Sequence, residues 1–189
     1  PREQPRRTVR QGAPSAGAAV YRILVLTGTA LLVGASASIA AIVFVDCVAW
    51  LNDLLLVSPR SRVLHHDPAW LVPAATVAVP TLGGLAVGFL LVRVAPAGRP
   101  LGPSDVIRAV QFRERLPDAR SGILSGVGAA VSLGTGASVG QYGPMVYLGA
   151  MAGGPVARLG LRVPNLPAIA VSCGVAAAIS TAFNAPIAG

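Results

Sequence analysis

Residues 134–144 read GTGASVGQYGP and lie inside the longest uncharged run of the chain. Four glycines and one proline among these eleven residues interrupt a continuous helix. Because residues 121–157 contain no Asp, Glu, Lys or Arg, we expect the break to lie at membrane depth. Irregular backbone is tolerated there only where it is buried in protein or lines a polar cavity. A helix that restarts in a membrane points free N–H groups and its positive dipole end into that cavity, which is typical of a small-anion site.

The composition indicates an integral membrane protein. Of 189 residues, 53% are hydrophobic and 12% are charged, whereas a soluble domain has about 25% charged residues. Uncharged runs occupy 23–45, 69–92, 121–157 and 163–189, and the first two have the length of a membrane-spanning helix. The first run is too long and too late in the chain for a simple secretory signal.

The basic residues flank the apolar runs. All fifteen are Arg: five lie in 1–22 and six in 93–120, while 46–67 is net acidic. The positive-inside rule therefore predicts a cytoplasmic N-terminus and a cytoplasmic 93–120 loop. The net charge of +8 comes from Arg residues that flank the predicted membrane spans, so it does not predict nucleic-acid binding. Residues 1–20 are predicted to form a disordered, basic cytoplasmic tail that orients the first helix.

Other chemical signals are weak. Cys47 and Cys173 lie in or beside apolar runs and are predicted to be buried free thiols. The adjacent His65 and His66 are the two histidines of the chain, so a polar loop is favoured over a metal site. With no paired-carboxylate site and no Ser/His/Asp constellation, the sequence predicts neither an enzyme nor a bound cofactor.

Apolar runs and helix-start signals predict a series of helices, several of them short. Small residues within them, including Gly28, Gly34 and Gly84, suit close helix packing in lipid. The chain ends in an apolar stretch just after a break at Asn184, which suggests an incomplete polypeptide. The predicted helices cover about 21–57, 70–92, 104–115, 121–136, 143–159 and 166–182.

Several motifs occur in a characteristic order. Residues 136–144, GASVGQYGP, match a filter motif commonly written G-x-x-x-G-R-E-G-P, and the following MVYLG at 145–149 resembles the start of a filter helix. Upstream, a Gly/Pro loop ending at Pro103 resembles a G-S-G-I-P region, and residues 182–189, AFNAPIAG, resemble A-F-N-A-P-x-A-G. Over residues 21–189 this set resembles the CLC family of chloride channels and chloride/proton exchangers.

The resemblance implies an all-α, polytopic membrane fold with broken and tilted helices, built from two inverted halves. Residues 21–189 resemble the first half. The second half would supply another filter loop and a tyrosine whose hydroxyl helps to hold the anion. The family resemblance further implies a homodimer in a lipid bilayer, here a bacterial-type plasma membrane, with one anion pathway per subunit.

The same resemblance assigns the filter residues. Chloride would be held partly dehydrated by main-chain amides of 140–143 and by helix N-termini, with an inner contribution ahead of the short 104–115 helix. The filter residues are Gly140, Gln141, Tyr142, Gly143 and Pro144, and the inner residues are Leu101, Gly102 and Pro103.

The chain departs from the family pattern at three positions. Tyr142 stands where the family has its gating glutamate, and a phenol is neutral at physiological pH, so it is a poor carrier of protons. Gln141 replaces an arginine and so removes a fixed positive charge. No hydroxyl precedes Pro103, because Pro100 or Leu101 falls at the place of the family's serine.

We therefore expect passive or voltage-driven transport of chloride, or a similar small anion, uncoupled from protons. Tyr142 would either plug the outer pathway or leave the flow uncoupled. A chloride/proton antiporter that uses another acid is an alternative, although Asp46 and Asp53 are poorly positioned for it. A second alternative is a non-conducting protein with a structural or regulatory role. The glycines could also serve helix packing alone, with no ion site.

Overall fold

The computed structural model describes residues 16–55, 70–94, 101–112, 119–159 and 163–185. Within these ranges the chain forms helices, turns and loops and contains no strand, so the predicted all-α fold is confirmed. The tail 1–15, the His65–Asp67 loop and the final residues 186–189 lie outside the described residues, and the predictions made for them stay predictions.

The helix boundaries follow the sequence signals to within a few residues, with two differences. The first helix begins at Ala16, inside the predicted disordered tail. The fifth ends at Gly153 and continues as a 3-10 turn, because Pro155 has no N–H to donate to a carbonyl of the preceding turn. The elements are α1 Ala16–Leu54, α2 Leu71–Val94, α3 Pro103–Gln111, α4 Ala119–Gly134, α5 Tyr142–Gly153, the 3-10 turn Gly154–Leu159, and α6 Leu166–Ala182.

Helices α1 and α2 are long and apolar enough to cross a membrane. The qualifying parts span Gly17–Leu54 and Pro73–Arg93, with 38 and 21 residues. Large apolar side chains such as Leu32 of α1 and Leu82 of α2 are exposed along them. Such surfaces suit contact with lipid tails.

The core forms where α5 and α6 pack against each other and against α1. Ala37 and Ala41 of α1 are fully buried together with Met145 of α5 and Ala178 of α6. Three of these four residues are alanines, so the helix backbones approach closely with little side-chain volume between them. Helix α2 lies further out and packs chiefly against α4.

The backbones of α5 and α6 are in direct contact where Gly149 and Gly153 face Ala170 and Gly174. We call this contact the packing seam. A Cβ added to Gly149 would collide with the carbonyl of Gly174, and one added to Gly153 would lie 2.6 Å from the Ala170 carbonyl oxygen. Gly149 and Gly153 are four residues apart on one face of α5, and this small-xxx-small spacing lets the two helix backbones pack closely.

Other glycines do not have the packing role that the sequence suggested. Among the described residues, none has an atom within 4 Å of a Cβ added to Gly28, Gly84 or Gly88, so the prediction of close packing is wrong for these three glycines within that part of the chain. Spacing along one helix identifies residues that share a face but does not identify the neighbour of that face. Gly83 does fit the prediction, because its face abuts Thr135 at the end of α4.

Polar groups between the helices are few. The Thr181 hydroxyl of α6 donates to the Ser38 hydroxyl of α1 at 2.9 Å. Both cysteines are free as predicted, but Cys47 is exposed and Cys173 half-buried. The expectation of a buried thiol is wrong for Cys47 because it lies on an outer face of α1, where Val43 and Trp50 are also exposed.

Candidate functional site

The break predicted from the sequence lies between α4 and α5, and we call residues 135–141 the filter loop. Helix α4 ends in a backbone cap, in which Gly136 takes a positive φ of 92°. The N–H of Ala137 donates to the Ser132 carbonyl at 3.0 Å, and that of Gly136 donates to the Leu133 carbonyl at 3.0 Å. This is a Schellman motif, and it satisfies carbonyls at the helix end without any side chain.

The loop then turns at Gly140, whose φ of 75° lies in the left-handed region that disfavours side chains. Gln141 forms the N-cap of α5 without a side-chain hydrogen bond, and Tyr142 is the first helical residue. The amides of Tyr142 and Gly143 belong to the first turn, so they have no acceptor within the helix. Pro144 has no N–H and is favourable at a helix start.

The inner loop leads into α3 by a different cap. Gly102 is the N-cap, and its N–H donates to the Asp105 carboxylate at 2.9 Å. The Leu101 N–H donates to the Ser125 hydroxyl oxygen of α4 at 3.1 Å. These two amides are already engaged, and Pro103 has none, so α3 presents its dipole to the site rather than the amides of residues 101–103.

The two helix starts meet. A Cβ placed on Gly143 would lie 3.8 Å from the Cδ of Pro103, which is ordinary van der Waals contact. The N-terminal turns of α3 and α5 are therefore neighbours, although more than thirty residues separate them in the sequence. The sequence-predicted filter and inner residues thus meet at one place in the fold.

A cavity of about 240 Å³ lies beside this junction. One water molecule takes about 30 Å³ of liquid, so the space is large enough for a small anion with part of its hydration shell. Among the described residues that line it, none is charged. They are Val87 and Leu91 of α2, Leu101, then Ser125, Gly126, Gly128, Ala129 and Ser132 of α4, Val139 and Gly140 of the filter loop, and Gly143, Pro144, Tyr147 and Leu148 of α5.

The predicted residues fall into three groups. Leu101, Gly140, Gly143 and Pro144 line the cavity. The side chain of Tyr142 is 54% exposed, and neither it nor Gln141 is among the described cavity-lining residues. Gly102 and Pro103 sit next to the cavity at the start of α3.

Sequence reasoning missed the polar side chains in the cavity wall. Ser125 and Ser132 are seven residues apart in α4, so they lie on one face of the helix, and both line the cavity. Tyr147 of α5 is buried and lines it as well. A signal was present in the sequence, since Ser125 and Ser132 are the two serines within the apolar part of α4, beyond Arg120 and Ser121 in its first turn.

The acids considered as proton carriers are not among the described residues that line this cavity. Asp46 and Asp53 are exposed near the far end of α1. Within the described residues, no group of three or more His, Cys, Asp or Glu side chains is arranged to hold a metal ion.

Comparison with known proteins gives consistent matches. A family model described as voltage gated chloride channel matches residues 83–189. A ClcB-like chloride channel protein of Ralstonia nicotianae is 32% identical over 165 residues, which are 84% of this chain and 37% of that protein. Chloride channel protein CLC-e of Arabidopsis thaliana is 32% identical over 168 residues, covering 85% of this chain and 22% of its own length. This chain thus spans well under half of either relative. No solved structure matches it.

Proposed function

This chain belongs to the CLC family of voltage-gated chloride channels, and on that premise we propose that the protein moves chloride, or a similar small anion, across a membrane without coupling to protons. The observation that supports this most directly is the meeting of two helix N-termini at a cavity lined by no charged side chain among the described residues. Helix N-termini favour anions through their free amides and their positive dipole ends.

In this proposal the amides of Tyr142 and Gly143 donate to the anion from the start of α5. Gly140 gives the filter loop the left-handed turn that leads into that helix. Helix α3 contributes the field of its N-terminus at Pro103, while the amides of Leu101 and Gly102 hold the inner loop in place. An ion bound by dipoles binds less tightly than one bound by a full charge, which suits a conduction pathway.

Tyr142 is the reason for proposing uncoupled flow. A phenol can donate a hydrogen bond to an anion, but it does not offer the carboxylate that would compete with chloride and carry a proton. Its exposed side chain, away from the cavity wall, favours an unplugged outer pathway over a plugged one. Gln141 adds no positive charge, so the helix ends supply the anion-attracting potential.

An antiporter is the second candidate, and Asp105 is the observation that favours it. Its carboxylate lies at the start of α3 and accepts from the N–H of Gly102, beside the cavity-lining Leu101. A carboxylate in this position could exchange protons close to the anion pathway. The remaining candidate, a non-conducting regulatory partner, is favoured only by the substitutions at positions 141 and 142.

The family places the protein in a lipid bilayer. We propose further that it sits in a bacterial-type plasma membrane as a homodimer with a cytoplasmic N-terminus. The Arg-rich segments at 1–22 and 93–120 support the orientation.

The test is current through the full-length protein in planar bilayers, with the reversal potential measured under separate chloride and pH gradients. Uncoupled transport predicts a reversal at the chloride potential that ignores the pH gradient. A shift with the proton gradient would favour the antiporter, and Asp105→Asn would then abolish that shift. No current in either gradient would favour the non-conducting partner.

A further inference from the structure

Ser125 occupies an unusual position for a polar residue in an apolar helix. It lies in the first half of α4, is 9% exposed and lines the cavity. Its hydroxyl oxygen accepts the Leu101 N–H at 3.1 Å, across 24 residues of chain. The side chain therefore connects the inner loop to α4 at the edge of the cavity.

Its hydrogen bonding differs from that of several other hydroxyls in the described part of the chain. Thr29 donates to the Leu26 carbonyl at 3.0 Å, Ser36 to the Val33 carbonyl at 3.0 Å, and Thr135 to the Val131 carbonyl at 2.9 Å. Each of these hydroxyls donates to a carbonyl three or four residues earlier in the chain. Within the described part of the chain, the Ser125 hydroxyl only accepts, so its proton is available to a group in the cavity.

We propose that the Ser125 hydroxyl is a direct ligand of the anion and donates its proton to chloride in the cavity. The bond from Leu101 strengthens this role, because a hydroxyl that accepts a hydrogen bond becomes a better donor. The inference rests on the proposed transport of anions and assigns one further residue to it.

The chemistry predicts an effect on selectivity as well as on affinity. Chloride concentrates its charge and accepts strong hydrogen bonds, whereas nitrate spreads its charge over three oxygens. Loss of a hydroxyl donor should therefore weaken the binding of chloride more than the binding of nitrate. A hydrogen bond to a charged group corresponds to a change in binding of about tenfold or more.

The experiment compares Ser125→Ala, Ser125→Thr and Ser125→Cys in the full-length protein. Ser36→Ala is the matched control, because its hydroxyl already bonds within α1 and lies away from the cavity. Chloride and nitrate binding are measured by calorimetry in detergent, and the flux of each ion is measured from proteoliposomes. We expect Ser125→Ala to weaken chloride binding about tenfold and to lower the chloride-to-nitrate flux ratio. Ser125→Thr should keep the chloride affinity and the flux ratio close to those of the unsubstituted protein. Ser36→Ala should change neither quantity.

The outcomes separate this inference from the proposed function. If the unsubstituted protein neither binds nor passes chloride, the proposed function fails and the inference fails with it. If the unsubstituted protein transports chloride but Ser125→Ala keeps its affinity and flux ratio, the inference alone is overturned. The inference would also be overturned if Ser125→Ala weakened chloride and nitrate binding equally and Ser125→Thr showed the same losses. Ser125 would then act only as an acceptor for the Leu101 N–H. If the alanine variant does not fold, the test uses Ser125→Cys, whose side chain is similar in size to serine but is a weak donor. Its chloride affinity and chloride-to-nitrate flux ratio must then be clearly lower than those of Ser125→Thr.

Discussion

The packing seam and the filter loop are both rich in glycine, but the glycines do opposite things. In the seam, Gly149 and Gly174 let two helix backbones touch, and any side chain would collide with a carbonyl. In the loop, no described residue has an atom within 4 Å of a Cβ added to Gly140, and what this glycine supplies is a left-handed φ of 75°. Glycine is thus required for space in one region and for backbone conformation in the other.

The largest effect is expected in the seam. Gly149→Leu forces a side chain into the Gly174 carbonyl, and overpacking of this kind costs about 3 kcal/mol. The temperature at which the detergent-purified protein loses its monodisperse peak should fall sharply. Gly28→Leu is the control, because no atom of the described residues lies within 4 Å of a Cβ added at that position. Equal shifts in the two variants would break the distinction between packing glycines and others.

A smaller loss of stability is expected in the filter loop, from a different cause. The methyl group of Gly140→Ala meets no neighbour among the described residues, but the alanine must adopt a positive φ, which costs roughly 1–2 kcal/mol for a residue with a Cβ. Gly140→Asn should retain more stability and more chloride flux than alanine does, since asparagine tolerates this region. If alanine and asparagine behave alike, backbone conformation is not the reason for glycine here.

A negative charge placed at the start of α5 tests whether this end of the filter loop lies on the anion's path. Tyr142→Glu should lower chloride current at pH 7 by roughly fivefold, since two unit charges 4 Å apart in water repel by about 1 kcal/mol. The current should recover as the pH falls and the carboxyl is protonated. Tyr142→Gln, neutral and of similar length to glutamate, is the control measured in the same bilayers. A current that does not depend on pH in the glutamate variant would place residue 142 outside the anion's path.

The smallest effect is expected for the hydrogen bond that joins α1 to α6. Thr181→Val removes the donor to Ser38 and keeps the shape of the side chain, and such bonds between membrane helices contribute about 0.6 kcal/mol. The variant should lose its monodisperse peak at a temperature only slightly lower than that of the unsubstituted protein. A loss as large as that of Gly149→Leu would mean that polar contacts, rather than close packing, hold the helices together.

Much of the fold followed from the sequence because membrane helices are marked by local signals. Uncharged runs predicted α1 and α2, and the glycine and proline pattern predicted the break before α5. The 3-10 turn at Gly154 was not predicted, although Pro155 explains it once the helix is seen to continue into that residue.

The site was predicted less completely, because several of its properties depend on tertiary contacts. The family motif identified Leu101, Gly140, Gly143 and Pro144, which line the cavity. It did not identify Ser125, whose role depends on a contact 24 residues away, with Leu101. It also left open which way the Tyr142 side chain points, since that depends on packing around the first turn of α5.

The caps of α4 and α6 have a consequence for biosynthesis. Both helices end in the same way: Asn184 takes a φ of 51°, and the Ala185 N–H donates to the Ser180 carbonyl at 2.9 Å, as Gly136 and Ala137 do after α4. Each cap uses only residues within six positions of one another, so it is complete once residue 137 or 185 has been synthesised. Each helix end can therefore enter the bilayer with these carbonyls already satisfied, before any later part of the polypeptide leaves the ribosome.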